Sequence, residues 1–394
     1  MNKEILSHEV QDFLKSHFKE SSREVALKKS PFANVSSSEL ANQLESLQKS
    51  EKKLPLWFHT PGIYFPPSLS IEQASSEETA LYKATLISEN TSLVDLTGGI
   101  GIDSYYFSKR AKKVLHCELN PDLSEIAKHN AEVLGAKNIE FHAGDGLKVL
   151  EEQSTETFQT IYLDPSRRVK TRKVFMLQDC EPNIIEIQKD LLEKAPIVII
   201  KAAPLLDITL SLTKLLNTKE VHIISLKNEC KEVLFILERD FTSEPIIKVV
   251  GLGKDFNFEF QFHQQEEKNA IADYSLPKNY LFDPDVALLK AGCFKLLSER
   301  YAIQKIHPNT HLYTSENNLK DFPGRRFKIN ETFEYKEFKK KKIDWSATII
   351  SRNFPLSVAD LRKKHRVMES STKYLFFCKG LDEKLYVVHA DRLA

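Results

Sequence analysis

Asp164-Pro165-Ser166-Arg167-Arg168 joins an acid, a proline and two guanidinium groups at the end of an apolar run, Phe158 to Leu163. A carboxylate in that place can accept a hydrogen bond, and an arginine can stack on a base or clamp a phosphate. Three more acids stand at comparable points. Asp95 ends Leu93-Val94 and leads into Leu96-Thr97-Gly98-Gly99-Ile100-Gly101; Glu118 ends Val114-Leu115-His116-Cys117; Asp145-Gly146 closes the run from Ile139 to Gly144. The glycines let the backbone take positive φ and leave no Cβ between main chain and ligand. A helical pattern begins directly after the first turn, so its free N–H groups point at whatever lies over it. An acid about twenty residues past such a turn suits hydrogen bonding to ribose hydroxyls, which is the place of Glu118. A dinucleotide fingerprint fits only in part, because the third small position counted from Gly99 holds Ser104. No Gly-Lys-Ser/Thr follows, so a P-loop is excluded.

Elements that present four acids in this order are strands joined by helices at βαβ spacing. That is a doubly wound α/β sheet, whose ligand lies beyond the carboxyl ends of the strands. Ile197-Val198-Ile199-Ile200-Lys201 reads as a fifth strand, apolar as a sheet buried on both faces requires. Val221–Leu226 and Val233–Leu237 read as an antiparallel hairpin, and Ile246–Val250 with Phe256–Phe262 as another. Residues 1–75 form a polar helical region in which Ser36 with Glu39 makes a capping box, as does Ser75 with Glu78 ahead of the first strand. The α/β domain is expected over 76–265 and a C-terminal α+β domain over 275–394. In the latter, Asp283-Pro284 is expected to cap a helix running through Ala287, Leu288, Phe294 and Leu297. Ser357 with Asp360 opens a second helix, and Tyr374–Phe377 pairs with Lys384–Val388.

A net charge of +1 makes no case for nucleic-acid binding by the whole molecule, so any basic surface is local. It is found from Gly324 onward, where 17 Lys and Arg face 9 Asp and Glu. The dense places are Arg325-Arg326, Lys339 to Lys342, and Arg362-Lys363-Lys364-His365-Arg366. Interleaved with Phe327, Phe338, Trp345 and Phe354, they fit an RNA-contacting surface that works through phosphates and stacking. The five cysteines are scattered and never in C-x-x-C spacing, which argues against a disulfide framework and a zinc site. No signal peptide and no membrane-spanning window is visible, and a cytoplasmic protein without a metal is expected.

The run Asp95-Leu96-Thr97-Gly98-Gly99-Ile100-Gly101 resembles the first motif of the class I S-adenosylmethionine (SAM) methyltransferases. The resemblance implies their Rossmann-like fold and SAM as cofactor. The turn of Thr97, Gly98, Gly99 and Gly101 would pack on the methionine part, and Asp95 would help hold its ammonium group. Glu118 would take the ribose, and Asp145 with Gly146 the adenine. Asp164-Pro165 stands where amino-directed members keep (Asp/Asn)-Pro-Pro-aromatic. There the acid and the proline carbonyl accept hydrogen bonds from the target NH₂. Ser166 and Arg167 replace the second proline and the aromatic, and with Arg168 they are candidates for substrate contact. The segment Ser75 to Glu78 is similar to one before the same motif in trimethylguanosine-synthase-like RNA methyltransferases, although its proline is absent. Asp-Pro-x-Arg also resembles the uracil-C5 RNA methyltransferases, but their nucleophilic cysteine is missing from Lys201-Ala202-Ala203-Pro204. Arg352-Asn353-Phe354-Pro355-Leu356 and its surroundings resemble THUMP-like domains attached to bacterial methyltransferases. The resemblance thus implies methylation of a base nitrogen in RNA. A methyltransferase acting on protein or a small molecule would share every cofactor residue. A SAM- or RNA-binding module without catalysis would have no need of Asp164-Pro165.

Overall fold

The computed structural model describes residues 1–155, 157–167, 176–253, 257–341 and 345–393. They form two compact units, Met1–Val221 with Glu232–Ser243, and His222–Lys231 with Glu244–Ala394. The α/β region expected over 76–265 therefore contributes its last strands to the second unit.

In the first unit, β1 (Ser92–Asp95), β2 (Lys113–Glu118), β3 (Ile139–Ala143) and β4 (Thr160–Leu163) are the four acid-terminated strands. A two-residue pair, β5 (Ser166–Arg167) and β6 (Cys180–Glu181), forms its own antiparallel ladder. β7 (Ile197–Ala202) follows, and β8 (Thr218–Leu226) and β9 (Glu229–Glu238) are neighbours that carry the boundary between the units. The order is β9-β7-β4-β1-β2-β3. β7, β4, β1, β2 and β3 are parallel, and β9 runs antiparallel to β7. Leu93, Val94, Val114, Ile161, Val198 and Ile200 are fully buried, as a sheet covered on both faces demands. Strand order reverses where β1 pairs with β2 on one side and β4 on the other. A crevice opens beyond the carboxyl ends at such a switch.

The N-terminal helices share the core of this sheet. Val10, Leu14, Val25, Leu40, Leu44 and Leu47 join one cluster with Trp57, Phe65, Leu93, Val114 and Tyr162. The Ser36–Glu39 capping box is present at the start of the helix Ser37–Lys53. The second box is not. Ser76 caps the helix Glu77–Thr85 by accepting from the Thr79 N–H, while the Ser75 hydroxyl turns inward and donates to Asp103. Ser75 is drawn away because Asp103 is a buried carboxylate whose lone pairs need donors.

The second unit holds the hairpin β10 (Ile246–Leu252) and β11 (Phe258–His263). Its main sheet comprises β12 (Tyr280–Pro284), β13 (Gln304–Lys305), β14 (Tyr313–Ser315), β15 (Gly324–Glu334), β16 (Thr348–Arg352), β17 (Lys373–Lys379) and β18 (Leu385–Arg392). The order is β13-β14-β12-β15-β18-β17-β16, and β16 with β17 is a parallel pair. Two expectations fail here. Asp283-Pro284 ends β12 and does not cap a helix; Asp285 caps Val286–Ala291, and left-handed Gly292 (φ 78°) separates it from Phe294–Arg300. Asp283 is instead fully buried and accepts from both Arg325 and Arg352. The aromatic rings meant for stacking on RNA are core: Phe327 is fully buried, Phe338 and Trp345 are buried, and Phe354 packs against the same interior. Alternation along twisted strands puts one face of each inside, and large rings are what fills it.

No helix among the described residues is long and apolar enough to cross a membrane.

Candidate functional site

The glycine turn after β1 is built by exclusion. A Cβ on Gly98 would lie 1.7 Å from His116 Nδ1, and one on Gly146 would lie 2.8 Å from the Leu96 carbonyl oxygen. Gly101 has φ 84° and starts the helix Ile102–Ser108. Gly98 and Gly146 admit only glycine because neighbouring chain lies against them, and Gly101 because its backbone is left-handed. Among the described residues His116, beneath Gly98, has neither ring nitrogen hydrogen-bonded, and burial pushes its pKa down to about 3, so it sits there as a neutral ring.

The strand-end acids hold the turns in place. Glu118 accepts from the Gly99 N–H at 2.9 Å and the Asn120 N–H at 2.8 Å, joining the ends of β1 and β2. Asp145 accepts from the Leu147 N–H and caps the helix Gly146–Glu152. Asp95 behaves differently. It is 1% exposed, with the Thr97 N–H on one oxygen and the Ser104 hydroxyl on the other, inside the turn and not at its mouth. Burial raises its pKa to about 7, against the lowering effect of the Ser104 bond.

Asp164 follows β4 at the edge of the crevice. Its backbone N–H donates to the Thr97 hydroxyl at 2.6 Å, which ties this loop to the glycine turn. Its carboxylate receives the Lys201 ammonium at 2.5 Å on Oδ2. Pro165 is buried and Ser166 exposed. The backbone of Arg167 pairs with Cys180, and Arg168, Lys170, Arg172 and Lys173 lie outside the described residues.

Beneath the site runs an ionic network that sequence reasoning missed. Lys83, 1% exposed, reaches Asp103 at 3.0 Å, Glu232 at 2.9 Å and the Ser75 hydroxyl at 2.5 Å. Tyr162 donates its hydroxyl to Asp103 at 2.7 Å. Burial alone would raise Asp103, but Lys83 and Lys201 outweigh it and hold the carboxyl below its ordinary range. Burial would likewise depress Lys201; Asp164, Asp103 and Glu232 overcome this and keep it firmly protonated. Both lysines left a trace in the sequence, as charges inside apolar patterns: Lys201 ends an aliphatic strand, and Lys83 sits between Ala80 and Ala84. Glu78, expected in a capping box with Ser75, instead has a buried Oε2 with no hydrogen-bond partner among the described residues. Among the described residues no group of three His, Cys, Asp or Glu side chains could hold a metal.

Comparison with known proteins gives these elements relatives. Residues 280–323 match a family model for a ferredoxin-like domain, and residues 324–392 one for a THUMP domain-like segment. Curated relatives match locally. An uncharacterized RNA methyltransferase of Oceanobacillus iheyensis is 36% identical over 85 residues, covering 21% of this chain and 18% of that protein. One of Mycoplasma mobile is 35% identical over 111 residues, covering 27% and 30%. The chain thus spans less than a third of the length of these curated relatives. A crystal structure from Porphyromonas gingivalis W83, named a putative methyltransferase, aligns over 100% of this chain and 99% of its own at 31% identity, with a TM-score of 0.88. Matched from end to end in sequence and fold, the chain belongs to the family of that Porphyromonas gingivalis protein.

Proposed function

We propose that the protein is a SAM-dependent methyltransferase that methylates a base nitrogen of RNA. The observation that carries this reading is Asp164. An acid at the switch-point end of β4 is backbone-bonded to the glycine turn and charge-paired to Lys201. Relatives named RNA methyltransferases and the THUMP domain-like segment support RNA as the substrate.

The residues fit the cofactor. Asp103 and Glu232 face one ammonium group, Lys83, so this set carries one negative charge in excess, beside the neutral pair of Asp164 and Lys201. Glu78 Oε2 and Glu232 Oε1 are buried without hydrogen-bond partners among the described residues. A cationic ligand is what such an environment lacks. When bound, SAM supplies a methyl group on a sulfonium. The chain's residues do the rest. Gly98, Gly99, Gly101 and Gly146 allow close approach, aided by Thr97. Glu118 takes the ribose hydroxyls and Asp145 the adenine amine, each with lone pairs left over. Asp95 shapes the turn and orients Thr97. Asp164 and the Pro165 carbonyl orient the acceptor nitrogen, a contribution of positioning. Ser166, Arg167 and Arg168 engage the RNA strand, Arg167 and Arg168 through phosphate or base stacking.

The test is calorimetry with SAM, followed by incubation with tritiated SAM and total RNA from a strain lacking the gene. A single SAM site is expected, weakened in Glu118→Ala. Asp164→Ala should keep SAM affinity and lose nearly all transfer. Label only on protein, or undiminished transfer in Asp164→Ala, would overturn the reading.

A further inference from the structure

We infer that Lys201 and Asp164 act as one donor–acceptor pair, and that the methylated atom is the ring nitrogen of a lactam edge. Such an edge sets a ring N–H beside a carbonyl, as guanine does at N1 and O6 and uracil at N3 and O4. The inference rests on the base-nitrogen reading above and names the class of base within it.

Lys201 Nζ gives one proton to Asp164 Oδ2 at 2.5 Å, its one hydrogen bond among the described residues. An ammonium has three N–H donors, so two remain unassigned. Among the described residues no donor reaches Asp164 Oδ1, and the Asp164 side chain is 37% exposed while that of Lys201 is 11% exposed. Among the described residues, then, a carboxylate oxygen without a donor stands next to a positive charge. Burial works against that charge, but Asp164, Asp103 and Glu232 outweigh it and hold the ammonium protonated.

Hydrogen bonding alone does not separate the bases, because adenine and cytosine also set an N–H donor beside an acceptor. Charge development does. An exocyclic amine attacks as a neutral group and becomes positive as its new bond forms. An ammonium beside it opposes that charge, and by bonding to the ring nitrogen it draws off the lone pair that must attack. A lactam nitrogen attacks after losing its proton, and the negative charge so released sits largely on the neighbouring oxygen. An ammonium fixed at that oxygen favours this step, in the manner of preorganised groups aimed at developing charge. The balance is simple. The N–H bond breaks toward Asp164, which becomes the neutral acid. The N–CH₃ bond forms as the sulfonium S–CH₃ bond breaks, leaving a neutral thioether, and Asp164 returns its proton to solvent.

The experiment uses the full chain, tritiated SAM and total RNA from a strain lacking the gene, with nucleoside analysis of the product. Label is expected on N1 of guanosine or N3 of uridine. If guanosine is the acceptor, a short RNA bearing inosine at that site should still be methylated, since inosine keeps the lactam and lacks the 2-amino group. Lys201→Met should bind SAM within about threefold of the parent by calorimetry. Its kcat should fall about 100-fold with KM for RNA little changed, and Lys201→Arg should recover part of the rate. Label on the exocyclic nitrogen of adenine, cytosine or guanine would overturn the inference and leave the base-nitrogen reading standing. Label absent from RNA would overturn both. Wild-type turnover in Lys201→Met would remove the lysine from the reaction. Should that variant fail to fold, the nitrogen labelled by the unaltered protein decides the matter.

Discussion

Four acids end four strands, yet their surroundings give them separate tasks. Glu118 and Asp145 are half-buried and accept from backbone N–H groups, whereas Asp95 is fully enclosed and takes the Thr97 N–H and the Ser104 hydroxyl. Burial lifts Asp95 to about 7 from an ordinary 3.8, which has a stability consequence of definite sign. Between about pH 4 and pH 7 the folded chain keeps a proton that the unfolded chain has released. Stability therefore falls as pH rises through that window and stays lower above it. Asp95→Asn removes the titration while its amide oxygen still accepts from Thr97 and its amide N–H₂ meets Ser104. Urea unfolding should find the variant close to the parent at pH 4. At pH 8 it should be more stable by on the order of 4 kcal/mol at most. An equal difference at both pH values would contradict the assignment.

Elements were legible where one residue type decides them. Apolar runs ending in acids located β1 to β4, and Ser36 with Glu39 located a helix start, because each is a local matter of chain and cap. What failed depended on partners distant in sequence. Ser75 gave up its capping role to reach Asp103, Asp283 turned inward to Arg325 and Arg352, and Phe327 faces the core although basic neighbours flank it. Lys83 shows the same principle at greatest span, joining the helix Glu77–Thr85 to the helix Ile102–Ser108 and to β9. Removing one partner of such a buried set strands the others in a medium that cannot solvate them. Lys83→Met should therefore cost about 3–5 kcal/mol in chemical denaturation. Adding Glu232→Gln should restore more than half of it, since Asp103 retains Ser75, Tyr162 and Lys201 nearby. Strictly additive losses would mean that Lys83 and Glu232 act independently.

For the molecule as a whole, a charge of +1 conceals an uneven distribution, and the structure narrows which cations are free to meet a polyanion. Arg325 and Arg352 are held by buried Asp283, so they brace β12, β15 and β16. Lys339, Lys340, Lys363 and Lys364 are exposed, and the ammonium groups of Lys339 and Lys364 lie 5.3 and 5.8 Å from the Tyr335 ring centroid. Two segments more than twenty residues apart thus place cations around one aromatic ring. If RNA is held there through phosphates, each neutralised phosphate releases counterions. The logarithm of affinity then falls linearly with that of salt, with a slope of about 0.7 to 0.9 per phosphate. Replacing these four lysines with glutamine in the full chain should weaken RNA binding at low salt. It should also flatten the salt dependence by about that amount for each phosphate no longer neutralised. SAM affinity, which the proposed function assigns to Glu118, Asp145 and the glycine turn, should stay unchanged in calorimetry. Binding titrations between 50 and 200 mM salt, roughly the range over which phosphate binding is most telling, give the comparison. An unaltered slope in the quadruple variant would place the phosphate-binding cations elsewhere in the chain.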